Sequence, residues 1–166
     1  GAQLVCGDTK VVERGKGDGV YLNTSGIGEL VSESPIVPAA LRPGDQLLLS
    51  GDIGRHGLAV LSAREDLGFS PPLHSDCAHL WPLVEALLAA GVPVRCLRDL
   101  TRGGLATAAV ELAESARLDL RLEEAAATRS AAVRGACEVL GLDPLYLACE
   151  GRCIAVVPAE QAAQAL

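Results

Sequence analysis

The chain has almost no aromatic side chains and no methionine. Its 166 residues include one tryptophan, two tyrosines and one phenylalanine, yet 49% of the residues are hydrophobic. A chain of this length can bury a sizeable core, and we expect that core to consist of aliphatic side chains. Because natural chains begin with methionine, we expect Gly1 to be a tag remnant and the sequence to be a piece of a longer protein.

Positive charge and long apolar segments are also scarce. The net charge is −7, and the chain lacks the basic stripe that marks proteins of nucleic acids or membrane surfaces. No apolar run reaches the roughly 18 residues of a membrane span, and no signal-peptide pattern is visible, so we expect a cytoplasmic location. An anionic ligand would have to be held locally, by backbone amides, a few arginines and a metal ion.

The six cysteines occur at irregular spacings, and none forms a C-x-x-C pair. Cys149 and Cys153 flank Glu150-Gly151-Arg152 without a nearby histidine, which disfavours a zinc site. We expect all six thiols to be reduced and mostly buried, where they act as small hydrophobic side chains.

Two domains are predicted, with a boundary in the stretch that contains Pro35, Pro38 and Pro43. Residues 1–34 are interpreted as the end of a β-rich domain, and residues 35–166 as an α/β layered domain. The expected strands are 3–6, 20–24, 47–50, 92–97, 118–122, 145–148 and 153–157. The expected helices are 57–65, 75–90, 104–116, 128–140 and 159–166.

The fold class predicted from this order is α+β, with helices packed on a mixed sheet. The mixed sheet is expected because the last two strands are predicted to form a hairpin. No G-x-G-x-x-G pattern follows the first strand of the second domain, which argues against a simple dinucleotide-binding fold. Ser75 or Asp76 is expected to cap the helix that runs to Ala90. Gly141 is expected to end the helix predicted at 128–140.

The junction of residues 99–108, Asp-Leu-Thr-Arg-Gly-Gly-Leu-Ala-Thr-Ala, carries the strongest local signal. It follows a predicted strand and opens a helix, so bare backbone amides and the helix dipole can bind an anion there. Asp99 can hold a cation such as Mg²⁺ beside that anion. A plain strand-to-helix turn, with Thr101 as the N-cap and glycines for close packing, explains the same pattern, and both interpretations stay open.

Six motifs together resemble the HypE family of hydrogenase maturation proteins, in the superfamily of aminoimidazole ribonucleotide (AIR) synthetase and selenophosphate synthetase. They are GDTKVV at 7–12, GDIGRHG at 51–57, SDC at 75–77, RDLTRGGLA at 98–106, RGAC at 134–137 and LGLDPLY at 140–146. The resemblance covers essentially the whole chain, in order and with ordinary spacing.

The resemblance implies a fold and an activity. Family members have a β-rich N-terminal domain that dimerises and binds ATP, followed by a PurM-like α/β domain. They use ATP to dehydrate a carbamoyl group on their own C-terminal cysteine to a thiocyanate. HypF supplies the carbamoyl group, and the HypC–HypD complex receives the cyanide for the nickel–iron centre. Because most of the N-terminal domain and the terminal cysteine tail are missing here, we expect these 166 residues alone to be catalytically incomplete.

The same resemblance assigns candidate site residues. The expected ligands of ATP are Asp8, Thr9, Lys10, Thr101, Arg102, Gly103 and Gly104, and the expected ligands of Mg²⁺ are Asp8 and Asp99. The expected participants in proton transfer are His56 and Glu150. Each has an ordinary structural alternative as a turn, cap or solvent-exposed residue, and the alternatives remain open.

Two other functions compete with this interpretation. The chain can belong to another ATP-dependent member of the superfamily, such as a selenophosphate or AIR synthetase. It can also serve only as a docking module for maturation partners, without chemistry of its own.

Overall fold

The computed structural model describes residues 3, 5, 7, 11–17, 19–32 and 34–166, and it divides into two units, Gly1–Val31 and Ser32–Leu166. The described residues of the first unit form no helix and no strand. The strand predicted at 20–24 is therefore not formed, and the strand predicted at 3–6 lies partly outside the described residues. Val20, Tyr21 and Leu22 are each more than two-thirds exposed, and an extended segment needs partner strands to be stable.

The second unit contains three strands and five helices within its described residues. The strands are β1 (Gln46–Leu49), β2 (Cys96–Asp99) and β3 (Cys153–Val157). The helices are α1 (Arg55–Glu65), α2 (Trp81–Ala89), α3 (Gly104–Ala116), α4 (Ala131–Leu140) and α5 (Ala162–Ala165). Short 3₁₀ turns lie at Pro38–Ala40, Glu124–Ala126, Pro144–Tyr146 and Ala159–Gln161.

The sheet has the order β1-β3-β2, and both pairings are antiparallel. The α+β class is confirmed, but the expectation of a mixed sheet is wrong for the strands that the structure describes. β1 and β2 run in the same direction without touching, because β3 lies between them. Its partners include Leu48 of β1 and Leu97 of β2, both opposite Ala155.

The core is aliphatic, as predicted, and it lies on both faces of the sheet. Ile154 of β3 belongs to a cluster with Leu105 and Leu112 of α3. Its neighbour Ala155, on the opposite face of the strand, belongs to a second cluster with Leu87 of α2. All five residues of β3 are buried, so this central strand reads as a continuous apolar run covered by helices on each side.

The strand predicted at 92–97 is formed at Cys96–Asp99, and three other predicted elements differ from the structure in the second unit. Residues 118–122 form no strand, and residues 145–148 form no strand either, since the 3₁₀ turn Pro144–Tyr146 takes their place. That turn begins with a proline and is closed by the Asp143 carboxylate, which accepts from the amide of Leu145 at 2.9 Å. α2 begins at Trp81 rather than at 75, because the side chains of Ser75 and Asp76 bind other parts of the fold.

The predicted end of α4 is confirmed. Gly141 is its C-cap in the left-handed conformation, with φ 66°. At the start of the helix, the Ser130 side chain accepts from the amide of Val133 at 3.2 Å. Among the helices of the described residues, none combines the length and apolarity needed to cross a membrane.

Gly104, at the start of α3, lies in unusually close contact with a distant segment. A Cβ atom there would come within 2.6 Å of the carbonyl oxygens of Leu145 and Leu147. The residue also has a positive φ of 63°. Only glycine satisfies both conditions, so the α3 terminus can dock under the 3₁₀ turn that follows α4.

We expect Gly104→Ala to lower the free energy of unfolding more than Gly141→Ala does. Both residues have φ near 65°, but a Cβ at Gly141 would meet nothing within 4 Å. Gly141→Ala should therefore cost only the backbone strain of about 1–2 kcal/mol, and Gly104→Ala should add the cost of the carbonyl clash. Urea unfolding of the two variants measures the difference, and equal losses would contradict the close contact.

Candidate functional site

The first candidate site lies where β2 ends and α3 begins. Thr101 donates its hydroxyl to Asp99 Oδ2 at 2.5 Å, and Arg98 donates to Asp99 Oδ1 at 2.9 Å. The Thr101 hydrogen bond and the Arg98 charge outweigh burial and hold the pKa of Asp99 below its ordinary value. The carboxylate is therefore ionised at neutral pH and half exposed, so a cation can reach it.

Arg98 links this junction to the following helix. Its guanidinium pairs with Glu111 of α3 as well as with Asp99. Arg102, one of the predicted phosphate ligands, is exposed and forms no ion pair within the part of the chain that the structure describes. Among the described residues of this junction, Arg102 is thus a cation without an ion-pair partner, while Arg98 is held by two carboxylates.

The two glycines before α3 serve different contacts. Gly103 is the N-cap, with φ 72°, and no side chain caps this terminus. A Cβ on Gly103 would lie only 2.2 Å from the Thr107 side chain. Close packing, one of the two interpretations of the pattern, explains Gly104, because a Cβ there would clash with the carbonyl oxygens of Leu145 and Leu147. Thr101 does not cap the helix, because its hydroxyl binds Asp99 instead.

The second candidate site joins His56 and Glu150. His56 lies in the first turn of α1 and Glu150 lies in the loop before β3. His56 Nε2 is 3.7 Å from Glu150 Oε1, and both side chains remain partly exposed, at 22% and 39%. The fold thus brings together the two residues that were predicted to take part in proton transfer, with access for a ligand.

The segment Ser75–Cys77 lies beside this pair and was missed as part of a site. Ser75 Oγ is 2.9 Å from His56 Nδ1 and accepts from the amide of Cys77 at 3.1 Å. Asp76 Oδ1 accepts from the amide of Glu150 at 2.8 Å. One sequence signal could have found this role: SDC at 75–77 is among the six motifs of the family resemblance, although Ser75 and Asp76 were predicted only to cap a helix.

Asp52 anchors the loop that carries Glu150. Its Oδ1 accepts from Arg152 at 2.6 Å, and its Oδ2 lies 2.8 Å from Nε of Arg55. Arg152 also donates from Nε to the Asp52 carbonyl at 3.0 Å. Burial raises the pKa of Asp52, but the Arg152 hydrogen bond and the charges of Arg55 and Arg152 together lower it by more. The pKa of Asp52 therefore lies below its ordinary value.

A backbone hydrogen bond connects the two candidate sites. The amide of Cys149 donates to the carbonyl of Leu100 at 2.9 Å. Leu100 lies between Asp99 and Thr101, and Cys149 precedes Glu150. The β2–α3 junction and the loop that carries Glu150 are therefore neighbours along their backbones.

Asp8, Thr9 and Lys10 lie outside the described residues, so the cluster they were predicted to form stays a prediction. Within the described residues, no group of three or more His, Cys, Asp or Glu side chains is arranged to hold a metal ion. Asp99 stands there as a single carboxylate, paired with Arg98 and hydrogen-bonded to Thr101.

The cysteines largely follow the sequence interpretation. Burial raises the pKa of four of them, namely Cys96, Cys137, Cys149 and Cys153. All four are buried free thiols, as expected for small hydrophobic side chains. Cys77 differs, because its thiol is exposed and lies 4.0 Å from His56 Nδ1. Cys6 lies outside the described residues.

Comparison with known proteins identifies the family. Residues 42–166 match the family described as "AIR synthase related protein, C-terminal domain". The chain is 51% identical over 166 residues to the carbamoyl dehydratase HypE of Azotobacter vinelandii, covering 100% of this chain and 49% of that protein. The chain therefore belongs to the AIR synthase related family.

Solved structures carry the similarity further. A crystal structure of HypE in complex with ATP matches with a TM-score of 0.75 and 43% identity, over 78% of this chain and 39% of that one. A HypE–HypF complex matches with a TM-score of 0.78 and 39% identity, over 82% and 45%. The resemblance to HypE predicted from the six motifs is confirmed, and the chain spans about half the length of the curated relatives it matches.

We expect Asp52→Asn to destabilise the protein at neutral pH by about 1–3 kcal/mol, because Arg152 and Arg55 lose their shared anion. The folded-state pKa of Asp52 is lowered. Its stabilisation is thus complete above the unfolded-state pKa of about 3.9 and is lost as the pH falls through the folded-state value. Unfolding curves between pH 7 and acid should show the gap to the parent protein closing below about pH 4.

A suitable control for that measurement is Glu124→Gln. Glu124 pairs with Arg129, but its side chain is 70% exposed, so its loss should cost only about 0–1 kcal/mol. An Asp52→Asn variant no less stable than this control would contradict the anchoring role of Asp52.

We expect Thr101→Val to raise the pKa of Asp99 towards its ordinary value, because the hydroxyl that stabilises the carboxylate is removed. Thr101→Ser keeps the hydroxyl and should keep the pKa low. Carboxyl ¹³C titration by NMR measures both, and a Val variant that titrates like the Ser variant would show that the hydrogen bond does not control Asp99.

Proposed function

We propose that the longer protein to which this chain corresponds dehydrates an S-carbamoyl group to a thiocyanate with ATP, as the name carbamoyl dehydratase of its relatives indicates. The observation that carries the proposal is the His56–Glu150 pair, 3.7 Å apart. The pair is partly exposed and stands beside an anion-binding junction. The thiocyanate forms on a C-terminal cysteine outside this chain, and its cyano group serves a nickel–iron centre.

The reaction needs both candidate sites. ATP transfers its terminal phosphoryl group to the carbamoyl oxygen, the nitrogen gives up one proton, and ADP leaves. The nitrogen then gives up its second proton as the carbon–oxygen bond breaks, which releases phosphate and leaves a carbon–nitrogen triple bond. Glu150 accepts a proton from the nitrogen, and His56 assists that transfer. Phosphoryl transfer itself depends on positioning and charge stabilisation more than on covalent help.

The β2–α3 junction supplies the phosphate-binding side of this proposal. Thr101 and the amides at Gly103 and Gly104 contact phosphate, and Arg102 pairs with it. Asp8, Thr9 and Lys10, which lie outside the described residues, are proposed as further ligands of ATP. Support comes from the free Arg102, the glycine-rich helix start, and the ATP complex of a HypE that is 43% identical.

For Mg²⁺ we propose Asp99 and Asp8 as ligands. Mg²⁺ in phosphate-transferring enzymes takes one or two carboxylates together with substrate phosphates, and Asp99 is an ionised, half-exposed carboxylate. The ion supplies charge neutralisation for the phosphates when it is bound.

Partners and domain organisation complete the proposal. HypF donates the carbamoyl group, and support comes from the solved HypE–HypF complex. The HypC–HypD complex accepts the cyanide, and the longer protein is a cytoplasmic homodimer. Residues 1–34 end its N-terminal ATP-binding domain, and 35–166 belong to its C-terminal domain. The division after Val31 and the family match from residue 42 support this boundary.

We expect Glu150→Gln in the full-length protein to slow thiocyanate formation by about 100-fold or more, because the amide cannot accept the proton. ATP binding should be unchanged, and Glu124→Gln should behave like the parent. Mass spectrometry of the carbamoylated terminal peptide, which loses one water, measures the product. Parent-like turnover by Glu150→Gln would remove this residue from the mechanism.

A parent protein that binds HypF but forms no thiocyanate would favour a docking module instead. Phosphorylation of selenide or of a purine precursor would favour another superfamily activity. Both results would contradict the proposed function.

A further inference from the structure

We propose that Ser75 and Asp76 are the positioning residues of the His56–Glu150 pair: Ser75 fixes the His56 ring with its proton on Nε2, facing Glu150, and Asp76 holds the Glu150 backbone. The proposal rests on the proposed function for its effect on catalysis. Its structural part stands on contacts of the described residues alone.

Three neighbours of His56 favour the same tautomer. Ser75 Oγ already accepts from the amide of Cys77 at 3.1 Å. Its own proton has one acceptor within the described residues, Nδ1 of His56 at 2.9 Å. A neutral imidazole that accepts at Nδ1 carries its proton on Nε2.

The other two neighbours act in the same direction. The Cys77 thiol approaches Nδ1 at 4.0 Å and can donate to it when Nδ1 is unprotonated. On the opposite side of the ring, Nε2 faces the Glu150 carboxylate at 3.7 Å. A carboxylate favours a donor, so the proton belongs on Nε2. The Nε2 proton then faces the Glu150 carboxylate and orients it to accept a proton from the substrate nitrogen.

Asp76 acts on the other member of the pair. Its Oδ1 accepts from the Glu150 amide at 2.8 Å, while its Oδ2 is buried without a hydrogen-bond partner in the described part of the chain. The residue is only 4% exposed. Burying a carboxyl group costs free energy unless it is hydrogen-bonded. The hydrogen bond that Asp76 makes is to the backbone of Glu150.

Gly151 shows how tightly the two segments meet. A Cβ there would lie 1.9 Å from the Asp76 carbonyl oxygen and 2.6 Å from the amide nitrogen of Ala78. The backbone of the Glu150 loop therefore lies in close contact with residues 76–78. Adjacent residues, Ser75 and Asp76, thus hold one member of the pair each.

The test compares conservative and disruptive substitutions in the full-length protein. Histidine ¹⁵N NMR at about pH 8.5, where imidazole is neutral, reports which His56 nitrogen carries the proton. We expect the parent to show Nε2–H alone, Ser75→Ala to show a mixture, and Ser75→Thr to restore the parent pattern. Ser62→Ala is the matched control, since Ser62 lies on α1 with His56 and its hydroxyl has no hydrogen bond among the described residues.

Turnover completes the test. Ser75→Ala and Asp76→Ala should each slow thiocyanate formation by about 10- to 100-fold, as loss of a partner that orients a histidine does elsewhere, with ATP affinity unchanged. Ser75→Thr and Asp76→Asn keep an acceptor or donor in place and should retain activity. Thermal unfolding shows whether Asp76→Ala is folded, and Asp76→Asn remains informative if it is not.

The outcomes separate the proposals. A Ser75→Ala protein with the parent's tautomer overturns the role of Ser75, and a changed tautomer with parental turnover does the same. Parental turnover by a folded Asp76→Ala overturns the role of Asp76, as does loss of turnover in Asp76→Asn. If the parent protein forms no thiocyanate, the proposed function is wrong. The NMR comparison still decides how Ser75 acts on His56.

Discussion

The meeting of the Glu150–Arg152 loop with segments from elsewhere in the chain is the constraint on which the candidate site depends. Arg152 binds Asp52, after β1, and the Glu150 amide binds Asp76, before α2. Gly151 leaves room for the backbone of residues 76–78. Each contact joins parts that are distant in sequence, so the loop gains its fixed position from tertiary structure rather than from any local preference.

Local signals in the sequence predicted the elements that local chemistry controls. Gly141 ends α4 because it adopts a left-handed conformation, and the apolar run of β3 becomes the buried central strand. The junction at Asp99 and Gly103 was predicted as a strand followed by a helix, and it has that form. His56 and Glu150 were singled out through a family resemblance, and their proximity in space could not be derived from their spacing.

The errors arose where distant contacts override a local pattern. Ser75 and Asp76 have the residue types of an N-cap, yet their side chains bind His56 and Glu150, so α2 begins further along. Residues 145–148 have apolar side chains suited to a strand. They lie instead against the bare backbone of Gly104, where a 3₁₀ turn fits. Neither partner is visible in a window of neighbouring residues, which is why periodicity alone misplaced both segments.

The hydrogen bond between Cys149 and Leu100 relates the two halves of the proposed chemistry. Dehydration of a carbamoyl group removes oxygen as phosphate and protons from nitrogen, and both atoms are bonded to the same carbon. Phosphate-binding groups and a proton acceptor must therefore lie within one small molecule's reach of each other. The Cys149–Leu100 hydrogen bond places the backbones of the β2–α3 junction and of the Glu150 loop side by side, as that requirement demands of the proposed reaction. Catalytic groups held on such connections keep their spacing when substrate binds, which is the condition for positioning to lower a barrier.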